Sequence, residues 1–294
     1  MKKSLATVYV LLAGSLWGSM GLFVRKLNAV GLYALDIVQV RVLTSTIFIG
    51  LYMLLFAREK FRVRIRDLWC FAGTGIVSLL LFSWCYFSGM RVASLSVMAV
   101  LLYTSPAFIM LLSVVLFHEK LTRRKLLALG MTFAGCCLVS GLGSADAVPA
   151  QGLLLGLGAG FFYALYSIFS RYAIERGYDS WTITFYTFIF CMLGGGAFAD
   201  WGQVAAALTT DGTVIWYILA MGLLNGFLAY ILYTKGLEGM ESSRAGIIAS
   251  IEPVVGTIIG TAVFHEPLGL AGICGIALVL GGIVVLSDKK SVKA

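Results

Sequence analysis

Glu252 stands in the stretch ASIEPVVG, inside an apolar run from Ala245 to Phe264, with Pro253 directly behind it. A charged carboxylate near the centre of a membrane helix costs roughly 2.5–3.5 kcal/mol on insertion scales. Holding a glutamate protonated at pH 7, from an ordinary pKa near 4.3, costs about 3.7 kcal/mol. The two penalties are close, so a modest change of surroundings moves the proton on or off. Three roles stay open for such a group. One is proton coupling or contact with a cationic substrate. The second is a hydrogen-bonded structural role. The third is an ion pair with Arg41, the basic residue that falls inside an expected span. At 1.5 Å per residue, Arg41 lies about 9 Å and Glu252 about 18 Å from the outer ends of their helices, a gap that a long side chain only partly closes.

His118-Glu119 and His265-Glu266 suggest a zinc helix, but that motif needs a second histidine four residues on. Thr122 and Gly269 occupy those places. The chain has 2 histidines, expected at opposite faces of the membrane, so no metal and no cofactor are expected. No His/Asp/Ser constellation appears, and the reading is a non-enzyme. The glycines sit inside apolar spans with no GK[ST] behind them, which argues against direct use of ATP. Gly14 and Gly18, Gly156 and Gly160, and Gly256 and Gly260 stand four apart, the spacing that lets helices approach closely.

Pro106 and Pro253 lack an amide hydrogen, so the carbonyls of Leu102 and Ala249 lose their helical partners. Freed backbone is tolerated at membrane depth only where protein or a wet cavity satisfies it. These two positions, with Glu252 and Arg41, are the candidate coupling or gating residues. Polar and aromatic side chains suited to a mid-membrane pocket are Trp17, Tyr86, Tyr103, Tyr163, Asn225, Tyr230 and Tyr233. Asn225 heads this group, because an amide at that depth needs partners, whether substrate or a neighbouring helix.

The elements that must hold these residues follow from composition. The chain is 60% hydrophobic and 12% charged, about half the charge of a soluble domain, so one soluble core cannot hide its apolar surface. Runs of ~20 apolar residues are long enough to cross a bilayer as helices. They place ten crossings near 5–27, 35–56, 68–89, 94–117, 125–142, 152–174, 180–199, 213–236, 243–264 and 268–286. The expected fold class is therefore all-α and integral to the membrane. The net charge of +8 reflects orientation rather than nucleic-acid binding. With the N-terminus inside, the basic residues gather on one face: Lys2 and Lys3, Arg58 to Arg66, Lys120 to Lys125, Arg171, Arg176, Lys235, Arg244, and Lys289, Lys290 and Lys293. Arg25, Lys26 and Arg91 fall on the other. This asymmetry puts both termini in the cytoplasm and supports an even number of crossings. All 6 cysteines lie in or beside expected helices and read as small packing residues.

The halves of the chain resemble each other. VVLFHEK at 114–120 returns as TAVFHEP at 261–267, an offset of 147 that also maps Tyr86 onto Tyr233, Gly89 onto Gly236 and Pro106 onto Pro253. With one residue of slippage, LWGSMGLFVRK at 16–26 aligns with FYALYSIFSRY at 162–172, pairing Arg25 with Arg171. Two similar units of five crossings enter the membrane from opposite sides, a construction used by secondary transporters. The expected domains are 1–146 and 147–294.

With LWG in the first helix, TSP and FHEKL around the fourth, and IEPVVGTIIG closing on FHEPLG in the ninth, the chain resembles the EamA-type branch of the drug/metabolite transporter superfamily over essentially its whole length. The resemblance implies ten helices in two inverted five-helix repeats, with the first, third and fourth helices of each half walling a cavity. It implies export of amino acids or related metabolites across the inner membrane. A drug- or nucleoside-type substrate is the alternative, with a membrane sensor or channel behind it. The expected partners are a small-molecule substrate and the bilayer; monomer and homodimer both stay open. The Glu-Pro pair recurs in the family whatever the substrate, which favours a mechanical role for it.

Overall fold

The computed structural model describes residues 3–140 and 149–287. All regular structure in them is helical. In chain order the long helices are α1 Ser4–Ala29, α2 Leu35–Phe56, α3 Ile65–Gly89, α4 Leu95–Phe117, α5 Arg123–Val139, α6 Ala150–Glu175, α7 Ser180–Phe198, α8 Val214–Leu237, α9 Ser242–Phe264 and α10 Leu270–Ser287. Eight of them are long and apolar enough to cross a membrane, α5 and α10 being the exceptions at 17 and 18 residues. The expectation of ten crossings thus stands at eight on length and composition. The expected end of the fifth crossing, the domain boundary at 146/147 and the terminal lysines Lys2, Lys289, Lys290 and Lys293 lie outside the described residues.

Large apolar side chains such as Phe56, Leu111, Leu154 and Leu193 are more than half exposed around the outside of the bundle. An apolar perimeter of this extent marks a surface made for lipid. One helix was not anticipated: Trp201–Thr210, a short segment whose N-terminus is capped by the Asp200 carboxylate accepting from the Gln203 amide.

The interruptions inside the helices fall at matched positions. α4 breaks at Tyr103–Thr104 and α9 at Ser250–Ile251, each pair 147 residues apart. Each second half begins just before a proline, with Pro106 and Pro253 in the first turn, where a missing amide hydrogen costs nothing. The second halves end alike. His118 (φ 54°, ψ 32°) and His265 (φ 55°, ψ 31°) both take the left-handed conformation that L-residues avoid. The amides of His118 and Glu119 both return to the Ser113 carbonyl, and those of His265 and Glu266 to the Gly260 carbonyl. α3 and α8 share a wide π-helical stretch, at Gly73–Leu80 and Gly222–Leu228. Ser45 on α2 donates 2.8 Å to the Gly222 carbonyl, holding the second of these stretches.

The core lies where the halves meet. α1 packs on α8 and α9, α6 on α3 and α4, and α5 runs along α10. Glycines set the approach. A Cβ on Gly14 would lie 3.0 Å from the Ala249 carbonyl oxygen, and one on Gly160 would lie 2.8 Å from that of Leu101. Each helix therefore presses bare backbone against the break in the proline helix of the other half.

Candidate functional site

The aromatic residues expected to line a pocket converge. Trp17 of α1 faces Tyr230 and Tyr233 of α8 at ring-centroid distances of 5.2 and 5.1 Å, and Tyr163 of α6 at 6.3 Å. Phe82 of α3 closes the group, 5.3 Å from Tyr163. Tyr86 stands one ring further out, 5.8 Å from Phe82. Helical spacing explains the clustering, because Tyr230 and Tyr233 are three apart and project from one face. Two hydroxyl pairs fix the rings: Tyr166 with Thr234 at 2.7 Å, and Ser167 with Tyr233 at 2.8 Å. Between the rings is a cavity of about 20 Å³, room for a water but not for a metabolite.

A second small space, about 10 Å³, adjoins it at the two helix breaks. Tyr103 and Pro106 of α4, Ser250 and Glu252 of α9, and Tyr163 of α6 line it. Glu252 is thus brought to the junction of both proline breaks, with the Tyr163 hydroxyl facing its carboxylate. Larger cavities of about 440 and 430 Å³ exist, but they lie among the loops on the basic face, away from these rings. The buried polar groups, and not cavity size, identify the site.

Arg41 does not form the ion pair that was one of the three sequence readings. Neither it nor Glu252 takes part in an ion pair within 4 Å among the described residues. Arg41 is buried in α2, donates 2.9 Å to the Met20 sulfur, and its Nε has no partner. Arg41 and Glu252 both lie near enough to Tyr230 to act on it electrostatically. The two groups therefore stand near the aromatic cluster without meeting.

Asn225 makes helix-to-helix contact. Its amide donates to the Leu16 carbonyl and, at 3.1 Å, to Ser19 Oγ. Ser19 is where α1 is interrupted, between Lys3–Gly18 and Met20–Ala29. The side-chain carbonyl of Asn225 has no partner. Gln39, passed over in the sequence, is fully buried with neither amide atom bonded. A lone glutamine in an apolar span was the signal. Gln39, Arg41 and Asn225 leave several buried polar atoms unsatisfied, against the usual near-complete pairing of buried groups.

The basic face is tied together. Lys60 pairs with Asp179, Arg176 with Asp67 at 3.2 Å, and Lys125 with Glu119 and Glu241 at 3.3 and 3.0 Å. The Ser180 amide donates 2.9 Å to Glu238, joining α7 to the end of α8. Partial burial pushes the Asp179 carboxyl up, but the Lys60 ammonium and the Thr182 amide outweigh it, holding the group below its ordinary value.

The model of the EamA-like transporter family matches the chain twice, over residues 4–141 and 150–288. An uncharacterized transporter of Archaeoglobus fulgidus is 28% identical over 68% of this chain and 70% of its own length. The uncharacterized transporter YetK of Bacillus subtilis is 26% identical over 82% of this chain and 74% of its own. A solved crystal structure superposes on 97% of this chain and 96% of its own with a TM-score of 0.78 at 19% identity, a likeness of fold alone.

Proposed function

Because this chain belongs to the EamA-like transporter family, we propose that it is a secondary carrier exporting an amino acid or a closely related zwitterionic metabolite. The observation that carries the substrate class is the pair of oppositely ionisable groups near the aromatic cluster, Arg41 and Glu252, which make no ion pair with each other or with any other described residue. A buried charge without a partner costs several kcal/mol. A ligand bearing a carboxylate and an ammonium would relieve both charges at once, its body lying on Trp17, Tyr163 and Tyr230. Asn225, Gln39 and Tyr103 supply further hydrogen-bonding capacity. A bulkier drug- or nucleoside-type substrate would use the rings but leave Arg41 unmatched.

The proposed architecture is ten crossings in two inverted five-helix repeats, in the inner membrane, with both termini cytoplasmic. The matched breaks and the basic face support it. Exchanging the conformations of the two halves would open the central site to alternate sides. Pro106 and Pro253 act as hinges in this reading, and Glu252 couples substrate movement to protons.

The test is counterflow in proteoliposomes. Wild-type protein and Glu252→Gln are loaded with labelled amino acids, with and without an imposed pH gradient. Wild type is expected to exchange a zwitterion saturably and follow the gradient, and the variant to ignore it. Equal exchange by both proteins would make Glu252 a structural part of the broken helix. Non-saturable flux would point to a channel.

A further inference from the structure

We propose that Glu119 and Glu266 form a reciprocal latch, one engaging as the other releases, with the two engaged forms marking the two access states. The inference rests on the alternating-access reading above. It starts from an asymmetry between residues that the repeat makes equivalent.

Glu119 is engaged. One carboxylate oxygen accepts 2.8 Å from the Ser242 amide, and the other accepts 3.3 Å from the Ser243 amide and a bond from the Ser243 hydroxyl. Those amides are the first of α9, groups that a helix cannot satisfy itself and that carry its positive end. Lys125 balances the carboxylate at 3.3 Å. Both serines are fully buried, and the Glu119 side chain is 7% exposed. The fourth helix of the first half is thereby bolted to the ninth helix on the basic face.

Glu266 is released. The same left-handed histidine turn presents it, 147 residues on. By the repeat, its targets are Leu95 and Ser96, the first residues of α4. Leu95 is instead 60% exposed, and α4 begins with a cap of its own, Ser94 Oγ accepting 3.3 Å from the Val97 amide. Glu266 pairs with Arg25, its side chain 46% exposed. Ser96 keeps the hydroxyl that Ser243 uses in the engaged latch, so the second site has the same helix-start donors, with Gly272 in the place of Lys125.

The released partner is also prepared on the basic face. Arg171, the counterpart of Arg25, bonds Glu175 at 3.0 Å and reaches only 3.5 Å toward the Leu237 and Met240 carbonyls. On release, Glu119 would meet Arg171 as Glu266 now meets Arg25. Each half then exchanges a helix cap for an arginine, so the two states hold similar sets of bonds. That near-balance is what a carrier needs to cross between states.

The reporter pairs leave both glutamates in place and read proximity beside them. Lys120→Cys with Glu241→Cys reports the basic face, and the repeat-equivalent Pro267→Cys with Ser94→Cys reports the opposite face. Full-length protein in native membranes is treated with a short bifunctional methanethiosulfonate, and the linked peptides are quantified by mass spectrometry. The first pair is expected to link readily and the second weakly. Glu119→Gln should raise linking at the second pair roughly tenfold and lower it at the first, the scale of losing charge-assisted hydrogen bonds. Ser243→Ala should move both the same way by less, and it decides the matter if Glu119→Gln does not reach the membrane. Second-pair linking that neither change raises, while the first pair links normally, overturns the latch. If wild type shows no saturable exchange but the linking still shifts, the carrier reading fails and the latch stands.

Discussion

Gly14 lies against the backbone carbonyl of Ala249, the oxygen whose helical partner Pro253 removes; a Cβ at residue 14 would lie 3.0 Å from it. The repeat reproduces the contact, with Gly160 against the carbonyls of Leu101 and Leu102 near Pro106. Weakened helix is thus buried under bare backbone, where close Cα–H contacts partly satisfy freed carbonyls.

Gly160→Val is expected to lower stability by about 1–3 kcal/mol through overpacking. Thermal unfolding in detergent measures it, with Gly130→Ala as control because nothing lies within 4 Å of that position. Equal melting of the two variants would refute the contact.

Asn225→Ala removes the bonds to Leu16 and Ser19 that span the α1 interruption. A loss of about 0.5–1.5 kcal/mol follows from losing those bonds, since the Leu16 carbonyl keeps the Ser19 amide and hydroxyl. Hydrogen exchange should speed locally at Leu16–Met20; unchanged exchange there would contradict the clamp.

Arg41→Gln keeps a polar side chain but removes the buried cation. Exchange of a zwitterion should weaken by about 10–100-fold, the range of a charged hydrogen bond of 1.5–3 kcal/mol. The amide of the same amino acid, lacking the carboxylate, should be affected far less. Equal loss for both ligands would place Arg41 in the scaffold and not in recognition.

Lys60 and Asp179 tie the α2–α3 loop to α7, and the Asp179 carboxyl is held below its ordinary value. A lowered folded pKa stabilises the fold above the unfolded value, about 3.9, and the benefit fades as pH falls through the folded one. Asp179→Asn should therefore flatten the loss of melting temperature below about pH 4. The effect is small, since the pair is partly exposed and screened by salt. An unchanged acid limb would remove Asp179 from the account.

Much of this protein was legible in one dimension. Runs of apolar residues declare helices because a bilayer leaves the backbone no other partner than itself. FHEK and FHEP at an offset of 147 declared the repeat, and the structure places the breaks and left-handed histidines at that spacing and the π-helical stretches within two residues of it. Pro106 and Pro253 marked where hydrogen bonding must fail. Those are local consequences of residue type, so the chain order alone determined them. Which side chains face one another was settled only by packing the halves together. Sequence distance could not tell whether Arg41 pairs with Glu252 or stands apart from it, nor assign Asn225 to α1 rather than to a ligand. The basic residues after Glu119, absent after Glu266, pointed to a local salt bridge there, but not to the capping of α9 by Glu119. The difference between the two glutamates lies in what each carboxylate meets, the first amides of α9 for Glu119 and Arg25 for Glu266, a property of the tertiary arrangement and not of any stretch of chain.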